Sequence, residues 1–373
     1  MTIAVPLRSL QKAVATVSPA VERKTTIPVL GTIRVQQKDA EFLEFTATDL
    51  TLYIRVRLAA AGQPGEPLLL PALTLEKFSK LLAGDSVKLS AVDDRRASLT
   101  CGKARTRLPI LDPKSFPSVG ALAGEAALAL KPEQFARMLD FTFAVPEDDT
   151  KNGGVPGALL EVRDGKLSMV SVDGHRLTRY SVHTDGKLDD VLLSLPMVNA
   201  LRKLVGDGAA KIELRDGGEN VYASFGDSTG SIEIGGRKLV KRFPNYRGVM
   251  PSQSAVIVRV NAAEMVGSLR RCVSFAEQRS FAVTLTIHPE SIHFQSASEQ
   301  AGEIDDDVSA ASADSFEPFK ARFNANYLLD VLTRLDGDVA LRFADTSSRQ
   351  PLWISCSPVE GESFEYVVMP MKI

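Results

Sequence analysis

A chain of 373 residues is too long for one ordinary hydrophobic core and suits two or three domains of ~100–200 residues. Apolar residues at 44%, charged residues at 24% and a formal net charge of -2 exclude a disordered chain, a collagen repeat and a disulfide scaffold. They also exclude a surface that grips nucleic acid all over, while leaving room for a local basic face. No run approaches the ~20 apolar residues of a membrane-spanning helix, and no charged leader precedes a long apolar core. Cys101, Cys272 and Cys356 lie far apart and read as reduced thiols. The expectation is a cytoplasmic protein with no membrane partner.

Taken in chain order, an alternating strand runs into an amphipathic helix three times: Ile3 to Val17, Leu128 to Val145 and Val256 to Phe275. Leu10, Phe135 and Met265 hold matching helix positions, 125 and 130 residues apart. A second set runs Leu70 to Gly84, Leu192 to Gly206 and Ala321 to Gly337, each ending in Gly-Asp, where glycine suits a left-handed helix cap. A strand reaches an acidic residue at Asp49, Asp173 and Glu299, spaced by 124 and 126. These anchors define an internal repeat. The alternating stretches Phe42 to Ala47, Lys166 to Val170 and Val339 to Phe343 read as half-buried antiparallel strands. Asp164-Gly165 and Asp216-Gly217-Gly218 read as hairpin turns. Linkers are expected near Ser118 to Glu125 and Arg247 to Ser254. The fold class is therefore α+β: three tandem similar domains at 1–123, 124–250 and 251–373, each of two β-rich halves with one short helix each.

One stripe of each helix is apolar: Leu10, Ala13, Val14 and Val17 in the first, Leu75, Phe78, Leu81 and Leu82 in the second. The opposite faces carry Arg8, Lys12, Lys77, Lys80, Arg137, Arg202, Lys203, Arg270, Arg271 and Arg334, against Glu76, Glu133, Asp140, Glu264 and Asp330. Such faces are either ordinary solvated surfaces or, turned to one place by the repeat, a basic lining for phosphates.

Motifs for chemistry are scarce. There is no phosphate loop, and Gly206-Asp207-Gly208-Ala209-Ala210-Lys211 lacks the third glycine of a dinucleotide fingerprint. His288 and His293, with a proline between them, do not have zinc spacing. Asp173-Gly174-His175-Arg176 places a carboxylate beside an imidazole, which suits either acid–base chemistry in a cleft or a plain turn. No nucleophile or second carboxylate lies nearby in sequence, so no catalytic residue, metal or cofactor is expected.

Several local words appear in order: Thr26-Ile27-Pro28-Val29-Leu30-Gly31, Thr48-Asp49-Leu50, Asp173-Gly174-His175-Arg176-Leu177, Arg242-Phe243-Pro244-Asn245-Tyr246-Arg247 and Tyr366-Val367-Val368-Met369-Pro370-Met371-Lys372-Ile373. Over the whole chain this resembles the bacterial DNA sliding clamps, the beta subunits of DNA polymerase III. The resemblance implies a head-to-tail homodimer, a six-domain ring with helices lining a hole for duplex DNA, held without reading sequence. It implies no chemistry of the chain's own. It further implies the polymerase III alpha subunit, a clamp loader and other clamp-binding proteins as partners. Carried over by position, the peptide pocket would use Val155, Val172, Gly174, His175, Arg176, Leu177, Pro244, Val249, Asn324, Tyr327, Val367, Met369, Pro370 and Met371. Val172 replaces a hydroxyl residue common in the family, and Pro156 enters a loop normally free of proline.

DNA contact would fall to Arg8, Lys12, Arg23, Lys24, Lys80, Arg137, Lys151, Arg202, Lys203 and Arg270, and the dimer contact to Arg105, Thr106, Arg107, Leu108, Cys272 and Val273. Bulky apolar residues are fewer at this contact than in the family. A basic end (Arg95, Arg96, Lys103, Arg105, Arg107) and an acidic end (Glu303, Asp305, Asp306, Asp307) would then carry more of it. Two alternatives stay open: a clamp-like hub that binds peptides without encircling DNA, and an enzyme using Asp173 and His175.

Overall fold

The computed structural model describes residues 2–372 except positions 61, 121, 125, 143–152, 206–210, 228–229 and 251–252. In chain order the first third gives β1 (Thr2–Pro6), α1 (Leu7–Val17), β2 (Thr32–Gln37), β3 (Phe42–Thr48), β4 (Leu52–Ala59), β5 (Leu68–Pro71), α2 (Ala72–Leu81), β6 (Ser86–Asp93), β7 (Arg96–Cys101) and β8 (Ala104–Pro109). The second gives β9 (Ala126–Leu130), α3 (Pro132–Phe141), β10 (Gly157–Arg163), β11 (Lys166–Val172), β12 (Arg176–His183), β13 (Val191–Ser194), α4 (Leu195–Leu204), β14 (Ile212–Gly217), β15 (Asn220–Asp227) and β16 (Gly230–Arg237). The third gives β17 (Val256–Asn261), α5 (Ala262–Val273), β18 (Ala282–Ile287), β19 (Ser291–Ser298), β20 (Gly302–Ala311), β21 (Phe319–Asn324), α6 (Ala325–Leu332), β22 (Asp338–Phe343), β23 (Leu352–Cys356) and β24 (Glu362–Val368). Among the described residues one order therefore recurs three times: strand, helix, four strands, helix, three strands.

The local chemistry explains the elements. Leu10, Phe135 and Met265 are fully buried, as their matching positions require. Asn261 and Asn324 cap α5 and α6 by accepting from backbone N–H groups of the first turn, and α3 opens on Pro132. Asp49 and Asp173 make the same turn: each Oδ1 accepts from the N–H groups two and three residues on, at 2.7–2.9 Å.

Three expectations are corrected. First, α2 and α6 stop at Leu81 and Leu332, short of Gly84 and Gly337, so these glycines are not immediate caps. With φ 145° and 70° they turn the chain into β6 and β22 instead, where the Asp85 and Gly337 carbonyls accept from Leu7 and Ala262 and fasten the starts of α1 and α5. Gly206 lies outside the described residues. Second, Leu81 is 82% exposed, because α2 ends there and the stripe goes no further. Third, β3 and β11 are buried on both faces rather than half-buried. Their polar side chains are partnered: Glu44 by Arg55 and Arg57, Ser168 by Ser181, Ser171 by Thr178.

The chain divides into two compact units, 1–136 with 186–239 and 137–185 with 240–373. The first holds an antiparallel sheet in the order β5-β2-β3-β4-β16-β15-β14-β9 and a four-stranded sheet β1-β6-β7-β8. The second holds β10-β11-β12-β24-β23-β22-β17-β20-β19-β18-β21. In both, the fourth strand of one repeat pairs with the last strand of the next: β4 with β16, from Leu52↔Gly236 to Leu58↔Gly230, and β12 with β24, from Arg176↔Val368 to Val182↔Glu362. The middle third of the sequence is shared out between these two seams, which is why two compact units appear where the repeat has three members.

Each seam carries the same buried staple. Glu233 on β16 accepts from the Tyr53 hydroxyl and from Arg55, at 3.0 Å. Glu362 on β24 accepts from the Tyr180 hydroxyl and from Arg137, at 2.9 and 2.5 Å. Burial, reinforced by the facing carboxylate, pushes both tyrosine hydroxyls well above the ordinary value.

Candidate functional site

All fourteen positions expected in the peptide pocket fall in the second unit, and backbone hydrogen bonds gather them. Val155 N–H donates to the Val172 carbonyl at 3.0 Å. After β24, Met369 N–H donates to His175 (2.8 Å) and Met371 N–H to Arg322 (2.7 Å), laying the C-terminal tail between the β11–β12 turn and β21. Lys241 Nζ reaches the Gly154 carbonyl at 3.2 Å, drawing the segment that carries Pro244 toward Val155. Register adds Val172 opposite Leu177, and Leu177 opposite Val367.

The floor and the rim differ in burial. Val155, Leu177 and Val367 are buried, Val172, Pro370 and Met371 are half-buried, and Pro244, Val249 and Met369 are exposed. Gly174 stands at φ 90°, a conformation that Leu50 adopts at the matching turn at φ 78°. One wall is a fixed cation. Arg176 Nε meets Asp173 at 2.7 Å and its Nη1 meets Asp330 at 2.5 Å, while the guanidinium lies 4.4 Å from the Tyr327 ring centre. Burial opposes that charge, but Tyr366, Asp173 and Asp330 outweigh it and hold the group above the ordinary arginine value. His175 stacks on Tyr327 at 6.3 Å, and the Tyr366 hydroxyl donates to the Tyr327 carbonyl at 2.8 Å. Asn324 serves as the α6 cap. Chemically this is a cluster of apolar side chains with an adaptable methionine edge and an aromatic–cation wall, suited to apolar side chains of an extended peptide.

Sequence reasoning missed three contributors. Asp330 was expected on a solvated helix face, yet it clamps Arg176 from 154 residues away. Arg322 supplies the carbonyl that seats Met371. Phe281 borders Asn324, its carbonyl accepting from Ala325 N–H, and holds φ 47°. Nothing in the linear pattern marks these, since each is defined by its partner.

The basic candidates divide. α1 and α2 lie side by side, tied by Gln11 to the Ser79 carbonyl (2.8 Å), and expose Arg8, Lys12 and Lys80, with Arg23 and Lys24 in the loop after α1. Glu76 draws Lys80 (2.9 Å) and Arg23 (3.5 Å) to the same surface. Lys203 and Arg270 are exposed and Arg202 is half-buried. Arg137, expected to meet DNA, is committed instead to the buried Glu362. Lys151 lies outside the described residues.

At the expected dimer contact, β8 is an edge strand with Arg105 and Arg107 exposed and Thr106 half-buried. Leu108 and Cys272 are buried in their own units, at 4% and 0% exposure. Period two puts Leu108 on the inner face of β8, and Cys272 continues the core stripe Met265–Leu269 of α5. Burial first, and then Asp306, pushes the Cys272 thiol up to about 11. Val273 is half-buried. Leu81 stands exposed at the end of α2, and the segment after it is tied to β7 by the Cys101 thiol and the Ala83 carbonyl, 3.7 Å apart.

Comparison with known proteins places the chain in a family. The models of the DNA polymerase III beta subunit N-terminal and C-terminal domains match residues 1–120 and 247–372. The beta sliding clamp of Caulobacter vibrioides is 30% identical over 386 residues, with all of both chains covered. The chain belongs to the bacterial beta sliding clamp family. The beta sliding clamp of Pseudomonas putida is 26% identical over the full length of both. Among solved structures, the Caulobacter crescentus clamp covers all of both chains at 26% identity and a TM-score of 0.88. A Pseudomonas aeruginosa clamp with griselimycin bound reaches 0.90 at 22% identity, again over all of both chains.

Proposed function

We propose that this sliding clamp closes as a head-to-tail dimer of three-domain chains around duplex DNA and tethers polymerase III alpha, the clamp loader and other clamp-binding proteins through the second-unit pocket. One observation carries the ring. In each seam a fourth strand meets a last strand of the next repeat, and that rule leaves β20 and β8 over. Two copies satisfy it if β20 of one meets β8 of the other, and the second such contact closes the circle. The charges favour it: Glu303, Asp305 and Asp307 are exposed on β20, Arg105 and Arg107 on β8. The repeat boundaries near 123 and 250 then mark the three domains.

Retention on DNA follows from topology, so the basic faces of α1, α2, α4 and α5 need only loose phosphate contact, which permits sliding. The clamp contributes no reaction step of its own. It raises the local concentration of whatever its pocket holds.

The pocket is tested by fluorescence anisotropy with a labelled peptide carrying leucine and phenylalanine anchors. Val249→Glu places a charge on the exposed rim, and its binding should weaken about tenfold, the cost of a poorly solvated charge against an apolar anchor. Thermal stability should stay unchanged because Val249 is 49% exposed. Equal affinity of the two proteins would remove this site from the account.

A further inference from the structure

The pocket and the basic faces leave three histidines unused, His183, His288 and His293. His288 follows β18, while His293 sits mid-strand on β19, beside the acidic strand β20. Each ring nitrogen of His293 faces a carboxylate: Nδ1 lies 3.0 Å from Asp307 Oδ1 and Nε2 lies 3.0 Å from Asp305 Oδ1. A neutral imidazole has a single N–H and would set one nitrogen lone pair against a carboxylate. An imidazolium has two and satisfies both. A charged ring thus answers both carboxylates, where a neutral ring answers one. This is not a metal site, since the two carboxylates approach from opposite sides of the ring.

The surroundings leave this pair of carboxylates in control. On the same face Gln295 donates to Asp305 at 2.8 Å, and that hydrogen bond first, then His293, holds the Asp305 carboxyl below the usual range. Neutral Thr286 stands opposite His293 on β18, with Lys320 of β21 one strand further and Arg322 beside it. Glu303 continues the outer face of β20, whereas Asp306 turns to the other side and pairs with Arg271 at 2.6 Å.

We propose that His293 is a proton-operated brake on ring closure: charged, it ties Asp305 and Asp307 to their own chain, and neutral, it releases both carboxylates to Arg105 and Arg107 of a second copy. The proposal rests on the reading of β20 and β8 as the two ends of a head-to-tail contact. The sign follows from linkage. On this proposal closure displaces the His293 proton, so association strengthens as pH rises.

The test is sedimentation velocity of the full chain at one ionic strength, between about pH 5.5 and pH 8, the span in which imidazoles change charge. The wild-type dimer should dissociate about a hundredfold more readily at the acid end, about tenfold for one linked proton over one pH unit at each of its two contacts. His293→Gln should flatten that dependence at the tight level, and His288→Gln should retain the wild-type slope. A flat or reversed wild-type profile overturns the proposal, as does a slope that survives in His293→Gln. Absence of any dimer at every pH would instead strike the head-to-tail reading itself, and the brake with it.

Discussion

Removing Arg137 separates two roles for that residue, a contact to DNA and a structural staple. Its guanidinium makes two hydrogen bonds to Glu362, whose side chain is only 1% exposed, and the Tyr180 hydroxyl donates to the same carboxylate. Deleting one partner of a buried ion pair costs ~3–5 kcal/mol, because the remaining charge is stranded. The Arg137 side chain is 32% exposed, so water screens part of the loss, and ~2–3 kcal/mol is the expected cost for Arg137→Ala. Glu362→Gln keeps the shape and the Tyr180 hydrogen bond, and should cost ~1–2 kcal/mol. For a unit of about 180 residues each kcal/mol lowers the melting temperature by ~2–4 °C, so Arg137→Ala should melt ~4–12 °C lower. Differential scanning calorimetry reads this, with salt-dependent DNA binding measured on the same samples. An unchanged melting temperature with weakened DNA binding would refute the staple and restore Arg137 to the DNA face.

Two further outcomes follow from named residues. Leu50 is 59% exposed at φ 78°, so Leu50→Asn should stabilise the chain by ~0.5–1 kcal/mol, read by urea denaturation, since asparagine tolerates this conformation and little packing is lost. Tyr53, Tyr180 and Tyr246 all have hydroxyls raised by burial and then by a facing carboxylate, Tyr246 to about 12. A raised folded-state value keeps its full contribution below the unfolded tyrosine value near ~10 and loses it as pH climbs through the folded value. Stability should therefore be level up to about pH 10 and fall by ~2–3 kcal/mol from Tyr246 alone by about pH 12, with the share of the ~295 nm absorbance that belongs to these three tyrosines appearing only as the chain unfolds. Early ionisation of all six tyrosines in the folded protein would contradict this.

The repeat was legible because its anchors are backbone devices. The Asp49 and Asp173 turns and the strand-into-helix units need particular residues at particular places, and these recur at nearly constant spacing. The apolar stripes were legible for the same reason, except at Leu81, where the helix ends before the stripe does. The inward turn of Leu108 and Cys272 could have been read from strand and helix periods, which place them with Thr106 and with Met265 and Leu269. The Arg137–Glu362 and Arg176–Asp330 pairs could not, because they join residues 225 and 154 apart and each charge alone looks like solvated surface. The partition into two units was hidden likewise, since it follows from strand pairing across repeats rather than from any local signal.

The ring is tested most directly by retention on DNA. The clamp is placed by a compatible loader on nicked circular plasmid, the salt is raised, the plasmid is then linearised, and protein is followed by gel filtration. The account predicts salt-resistant retention on the circle and loss on cutting. Equal loss from circle and line, with loading verified before the salt step, would contradict it and leave a peptide-binding hub.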